Sequence, residues 1–257
     1  MRKHFGKSKV GILSKIIFII ALIVLIFSGY KLFMIWSEYN DNSKVYEEAR
    51  EYSPNLITKE DGKSKFVFDP VDFQKLFDIN NDIKAWIKIP NTNVDYPVVQ
   101  CDDNQYYLKH NFYKQVNSGG CIFIASENKN PLEEKNTIFH GHHMRDGSMF
   151  ESLTNFKMED FFKENSKIYV ATKDNVYEYD IFSVYVITAN KEPYQYSFAS
   201  DEKYISFLNG LSSKSFYKRD VGEFTKDDKI ITLSTCTYEV DDGRLLIHAK
   251  LVNKEAQ

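Results

Sequence analysis

The first 37 residues of this 257-residue chain contain no Asp or Glu, and cysteine is scarce throughout, with three in all. An odd count leaves at least one thiol unpaired. No Cys-x-x-Cys and no His-Glu-x-x-His occurs, so the common zinc signatures are missing. Internal repeats and low-complexity tracts are absent too. Six of the 33 basic residues fall in the first 37 positions (Arg2, Lys3, Lys7, Lys9, Lys15, Lys31), which leaves 27 against all 36 acidic residues, a net of −9. A body that acidic, with no basic stripe, argues against nucleic acid as a partner.

One apolar run is present. Ile16 to Trp36 is 21 residues interrupted only by Lys31. That length spans a hydrocarbon layer of ~30 Å. Lys31 can snorkel to the headgroups, and Tyr30 and Trp36 suit the interface. The run is long for a signal peptide, and no small-x-small cleavage site follows it. It reads as an uncleaved single-pass membrane anchor, with the basic N-terminus cytoplasmic and the remainder extracellular. Residues 1–37 are therefore expected to form the tail and anchor. Residues 38–69, polar and with a short helical stretch (Val45, Tyr46, Ala49) stopped by Pro54, are expected to form a stalk. Residues 70–257 then form the folded domain. A free thiol outside the cell is a liability unless it is used. Cys101 and Cys121 either pair or stay buried and reduced, which leaves Cys236 as the candidate for use.

The domain is expected to be mainly β. Asp69-Pro70 opens a short helix through Phe73, Leu76 and Phe77. Short alternating runs follow at 85–89, 94–99, 121–125, 136–140, 166–171, 176–186, 229–236 and 244–252. About eight strands at this spacing, with 15% aromatic residues, suit a sandwich or barrel. Before the seventh-to-eighth strand pair, Tyr204, Phe207, Leu208 and Leu211 recur at helical spacing behind Asp201 and Glu202. They predict an amphipathic helix inserted in a long loop.

The chemistry concentrates in three places. Thr232-Leu233-Ser234-Thr235-Cys236 ends a predicted strand, and Arg244 begins the next after a turn signal at Asp241-Asp242-Gly243. If these strands pair antiparallel, Cys236 and Arg244 lie near opposite ends of one connection, about 5 Å apart where they face. Upstream lies Gly141-His142. A cysteine supplies a nucleophile, a histidine a proton donor and acceptor, and an arginine a fixed charge for a developing oxyanion. The thiolate is the reactive form of a cysteine, and a neighbouring cation favours it. His140, His142 and His143 crowd together, but their spacing to Asp146 does not fit a dinuclear zinc pattern, so no metal is expected.

With these residues in view, the chain resembles the class B sortases, membrane-anchored cysteine transpeptidases of Gram-positive bacteria. The resemblance rests on Thr-Leu-Ser-Thr-Cys at 232–236, on Arg244, and on Phe139-His140-Gly141-His142-His143-Met144-Arg145-Asp146-Gly147-Ser148-Met149-Phe150. It extends to Trp86-Ile87-Lys88-Ile89-Pro90 and Asp95-Tyr96-Pro97-Val98-Val99-Gln100. It covers roughly residues 70 to 252. The resemblance implies a sortase-like β-barrel, with Cys236 as nucleophile, His142 as the catalytic imidazole after the glycine, and Arg244 as the clamp. It further implies contacts to a sorting peptide from Asn104, Leu108, Ser234, Thr235 and Glu239, and more loosely from Tyr194 and Tyr196. The loop carrying the inserted helix would form one wall of the substrate groove. The implied partners are secreted proteins with a C-terminal sorting motif, of the Pro-x-Thr kind in class B enzymes and cut at Thr, and an amine of peptidoglycan or its lipid-linked precursor. The peptide-bond energy is kept in a thioester, so no cofactor or nucleotide is implied.

Other thiol chemistry fits less well. Ser118-Gly119-Gly120-Cys121-Ile122 is only faintly similar to the L,D-transpeptidase motif and lacks its His and Arg. In papain-like peptidases the cysteine precedes the histidine, the reverse of the order here. A non-catalytic, sortase-like binding domain is opposed by the presence of all three catalytic residue types.

Overall fold

The computed structural model describes residues 10–58, 64–67, 69–189 and 194–256. The chain divides into two units, Met1–Asp41 and Asn42–Gln257. Helix α1 runs from Val10 to Arg50. In the first unit its apolar side chains are uncovered, from Ile16 to Trp36. An all-round apolar helix with nothing packed on it is the form a lipid solvent requires.

The second unit opens with the last turns of α1, where Tyr46 and Ala49 are buried. The Tyr46 hydroxyl donates to the Gly120 carbonyl at 2.5 Å, and the Arg50 guanidinium donates to the Asp95 carbonyl and lies over the Tyr96 ring. The helical stretch around Tyr46 is thus the continuation of α1, and it is fixed to the folded unit. The chain then turns at Tyr52 and Ser53 into a hairpin, β1 (Asn55–Thr58) with β2 (Ser64–Val67). Each strand has only four residues, too few for alternation to mark the hairpin within the expected stalk. Helix α2 (Pro70–Ile79) follows, its first turn closed by Phe73 N–H donating to the Asp69 carbonyl.

Eight strands complete the unit: β3 (Ile83–Lys88), β4 (Asp95–Val99), β5 (Ile122–Ile124), β6 (Asn136–His140), β7 (Lys167–Ala171), β8 (Asn175–Thr188), β9 (Ile230–Thr237) and β10 (Gly243–Ala256). They close a barrel in the order β10-β8-β7-β3-β4-β5-β6-β9. The expected strands are all present, most within two residues of their predicted ends. A 3-10 helix (Glu151–Lys157) and a short helix α3 (Glu159–Glu164) join β6 to β7. The predicted inserted helix is α4 (Asp201–Lys214), capped by Ser200, whose hydroxyl accepts from Lys203 N–H. It ends at Lys214 because Ser215 leaves the helical backbone (φ −59°, ψ 140°). Tyr204, Leu208 and Leu211 pack with Phe182, Tyr185, Ile230 and Leu246 on the outer face of the sheet. This covering explains why β10 is buried continuously from Leu245 to Ala249 and does not alternate.

Most neighbours are antiparallel, but β4–β5 and β6–β9 are parallel. Parallel neighbours bring like ends of two strands to the same edge of the barrel. The second of these pairings builds the site.

Candidate active site

In the β6–β9 pair, His140 faces Ser234. Both strands run in the same direction; β6 ends there and β9 continues to Thr237. His142 follows β6 by two residues, and Cys236 follows Ser234 by two. The register therefore brings two residues 94 positions apart in sequence to one level on adjacent strands, which lie about 4.8 Å apart. Gly141 N–H donates to the Ser234 carbonyl at 3.2 Å and carries the pairing one residue further. On the other side of β9, the antiparallel β10 places Arg244 directly opposite Cys236. This is the facing pair that the sequence anticipated.

The glycine before His142 has a steric cause. A Cβ on Gly141 would lie 2.5 Å from Ile122 Cδ1 and 2.7 Å from Phe150 Cδ2. Nothing larger fits without moving the loop. That loop is tied down further along: Phe150 N–H donates to the His142 carbonyl at 2.9 Å, and Met149 N–H donates to the Tyr96 hydroxyl at 3.1 Å. The turn on the Arg244 side is also constrained. Asp242 takes the left-handed backbone (φ 50°), while Gly243 is needed for space, since a Cβ there would lie 2.9 Å from the Val240 carbonyl oxygen.

The three clustered histidines have different partners. The His142 Nε2 lies 2.8 Å from the Leu108 carbonyl. A carbonyl only accepts, so Nε2 carries hydrogen and Nδ1 is the nitrogen left to exchange a proton. His143 Nδ1 lies 3.1 Å from the Cys236 backbone carbonyl, and its ring meets Tyr238 edge-on. His140 is packed between Phe123 and Tyr194. Burial pushes its imidazole down to about 4, with Glu127 opposing the shift and Arg244 adding to it. It is therefore neutral at physiological pH and cannot shuttle protons there. His110 stacks on Tyr106, and His248 is buried between Thr232 and Tyr185 hydroxyls, so both are structural.

The Arg244 guanidinium is braced by Asp242 at 3.1 Å and the Gly243 carbonyl at 3.0 Å. Tyr194 closes the same corner. Its hydroxyl lies 2.5 Å from Ser234 Oγ, and burial raises its pKa. Thr235 Oγ1 is buried and makes no hydrogen bond.

These groups line one open groove of about 380 Å³. Its floor crosses three strands: Phe123 faces His140, and His140 faces Ser234, with Thr235 and Cys236 next along β9. One wall comes from Asn104, Gln105 and Leu108 in the β4–β5 connection. The other comes from Ala189, Tyr194 and Tyr196, between β8 and α4, and Glu127 also borders it. Helix α4 itself is not part of the lining. Nine of the ten expected site residues thus meet: Cys236, His142, Arg244, Asn104, Leu108, Tyr194, Tyr196, Ser234 and Thr235. Glu239 is the exception, since it lies in the β9–β10 turn and pairs with Lys157. Gln105, Phe123, Glu127 and Ala189 were not singled out in the sequence. Phe123 was accessible in principle, through its alternation with Ile122 and Ile124. The others lie in connections with no local signature. Cys101 and Cys121 remain free thiols, and burial pushes Cys121 up to about 12.

Comparison with known proteins agrees with this geometry. The chain matches the sortase domain family over residues 87–252. It is 33% identical over 244 residues to Sortase B of Listeria monocytogenes, covering 94% of this chain and 98% of the relative. Among solved structures it is similar to sortase B from Bacillus anthracis in complex with AAEK1, with a TM-score of 0.73 and 37% identity over 85% of this chain and 99% of that one. It is also similar to the Staphylococcus aureus sortase B-substrate complex, with a TM-score of 0.67 and 33% identity over 72% of this chain and 86% of that one.

Proposed function

The chain belongs to the class B sortases, the cysteine transpeptidases that anchor sorting-motif proteins to peptidoglycan-linked acceptors, and from that premise we propose the part each residue plays. Cys236 Sγ attacks the backbone carbonyl of the threonine in a sorting peptide. The electron pair of the carbonyl moves onto oxygen, and Arg244 stabilises that oxyanion with directed N–H donors. His142 gives a proton to the departing amine as the tetrahedral species collapses to a thioester. An amine of peptidoglycan or its lipid-linked precursor then attacks the thioester, and His142 takes its proton. Cys236 leaves as it began.

The observation that carries the reading is the pair of registers on β9. Its parallel neighbour delivers the His142 segment, and its antiparallel neighbour sets Arg244 opposite Cys236. The Leu108 carbonyl holds one nitrogen of His142 and leaves the other free for transfer. Asn104, Leu108, Tyr194, Tyr196, Ser234 and Thr235 form the proposed peptide contacts. We assign Glu239 to holding the turn through Lys157.

The same reading covers the membrane. Residues 1–37 serve as a cytoplasmic tail and single anchor. Residues 38–69 link it to the catalytic domain, 70–257, on the extracellular side. One helix long and apolar enough to cross a bilayer, with a basic N-terminal flank, supports this. The test is product analysis with the full chain in detergent, a Pro-x-Thr peptide and a short amine acceptor. Transpeptidation gives the N-terminal peptide fragment joined to the amine, and the yield rises with amine concentration. Hydrolysis alone at every amine concentration contradicts the proposal.

A further inference from the structure

Among the described residues, one charge of the groove has no ion-pair partner. Arg244 is already braced by Asp242. Glu127, at the border of the groove, has no Lys or Arg paired to it among the described residues. The nearby Lys129 turns away and donates to the Ser126 carbonyl at 2.7 Å. Glu127 is held in place. Its Oε2 accepts from the Asn104 side-chain amide at 2.8 Å, and Asn104 Oδ1 in turn accepts from Ser126 N–H at 2.8 Å. Those bonds keep the carboxylate ionised, below the usual glutamate range. Asn104 therefore aims an exposed anion along the groove wall.

We propose that Glu127, positioned by Asn104, selects sorting peptides that carry a basic side chain upstream of the scissile threonine. The inference rests on the transpeptidase reading above, and it concerns the substrate's chemistry, not the reaction. The location follows from the barrel. Two strand spacings, about 10 Å, separate β9 from β5 across the sheet. Because β5 runs antiparallel to β6, its end lies level with Thr232, about 13 Å along β9 from Cys236. The diagonal is about 16 Å, or roughly five residues of extended peptide. With the reach of both side chains, the basic residue sits about three to six positions before the threonine. The floor between, Phe123 and the neutral His140, offers no competing charge. The acyl half of the peptide stays in this groove through both chemical steps, so it is the half the protein has most reason to read.

The acceptor amine is the other cation in the reaction, and it is a worse candidate. It must reach the thioester deprotonated, and a carboxylate partner would hold it in the ammonium form. Glu127 is exposed, so the effect is modest. An ion pair of this kind changes affinity roughly two- to fivefold and weakens with salt.

The experiment uses the full chain in detergent. Peptides of one Pro-x-Thr sequence carry Lys, Gln or Glu at each of the third to sixth positions before the threonine, upstream of the proline, and kcat/KM is measured at low and high salt. Wild type should favour Lys over Glu at one position by roughly five- to twentyfold, as a charge reversal doubles the swing, and the ratio should shrink in salt. Glu127→Gln should bring that ratio near one. Glu127→Lys should invert it. A Lys preference that survives in Glu127→Lys, or no preference in wild type, overturns the proposal while leaving the transpeptidase reading intact. Failure of every peptide to acylate Cys236 overturns both.

Discussion

Among the three clustered histidines, hydrogen-bond partners separate roles that the sequence could only rank. His140 is half-buried and neutral, His143 bonds the Cys236 backbone, and His142 keeps a nitrogen free beside the nucleophile. His142→Ala should therefore lower peptide cleavage by ~10²–10⁴-fold. His140→Ala and His143→Ala should cost less, the first through the groove floor and the second through the setting of Cys236. Steady-state rates for the three variants check this, and equal losses at all three positions would oppose it. Arg244 faces Cys236 with its guanidinium already braced. A lysine there keeps the charge but loses the planar fork, so Arg244→Lys should be nearly as slow as Arg244→Ala. Each should lose ~2.7–4 kcal/mol of transition-state stabilisation, the usual worth of one oxyanion donor. Near-wild-type rates for the lysine variant would reduce Arg244 to a diffuse charge. Rates are to be compared with circular dichroism as the folding control.

At the scale of elements, alternation and β-branched content made the strands visible, and the turn signal at Asp241-Asp242-Gly243 made the β9–β10 hairpin visible with its register. The parallel β6–β9 contact was invisible. It joins segments about 90 residues apart, and no local pattern encodes a non-local pairing. The adjacency of Cys236 and Arg244 was therefore legible, while that of Cys236 and His142 rested on family resemblance. The groove walls were equally hidden, because Glu127 and Gln105 lie in irregular connections. The glycine before His142 now has a reason that can be tested. Gly141→Ala should force Ile122 and Phe150 apart and displace the loop that carries His142. Overpacking of this kind costs about 1–3 kcal/mol. Activity should fall further than stability does, because misplacing a catalytic group is itself costly. Urea unfolding and cleavage rates measured on the same preparation check it. A fully active variant would show that the loop tolerates the shift.

For the molecule as a whole, two histidines, His248 buried and His140 half-buried, set a pH dependence. Burial lowers His140 to about 4 and His248 to about 3, both below the ordinary value of 6.5. Above 6.5 both are neutral whether folded or unfolded, and they cost nothing. As pH falls below 6.5 the unfolded chain takes up protons that the folded one refuses, so stability declines down to about 4 for His140 and about 3 for His248. Folding free energy should therefore drop between pH 7 and pH 5 by a few kcal/mol at most. The paired carboxylates matter only at lower pH: Lys229 and Lys254 hold Glu133 at about 2. Denaturation midpoints at pH 7 and 5 check this, and His248→Asn should reduce the difference. A stability that is flat across that interval would contradict the burial of these rings.

The central claim, that Cys236 forms a thioester with the sorting peptide, is tested most directly by mass spectrometry. The full chain is mixed with a Pro-x-Thr peptide, quenched in acid and digested. The account predicts a mass gain equal to the peptide's N-terminal fragment, located on Cys236 and released by an added amine. The Cys236→Ala protein should show none. An adduct on Cys101 or Cys121, or cleavage without any acyl-enzyme in wild type, would contradict it.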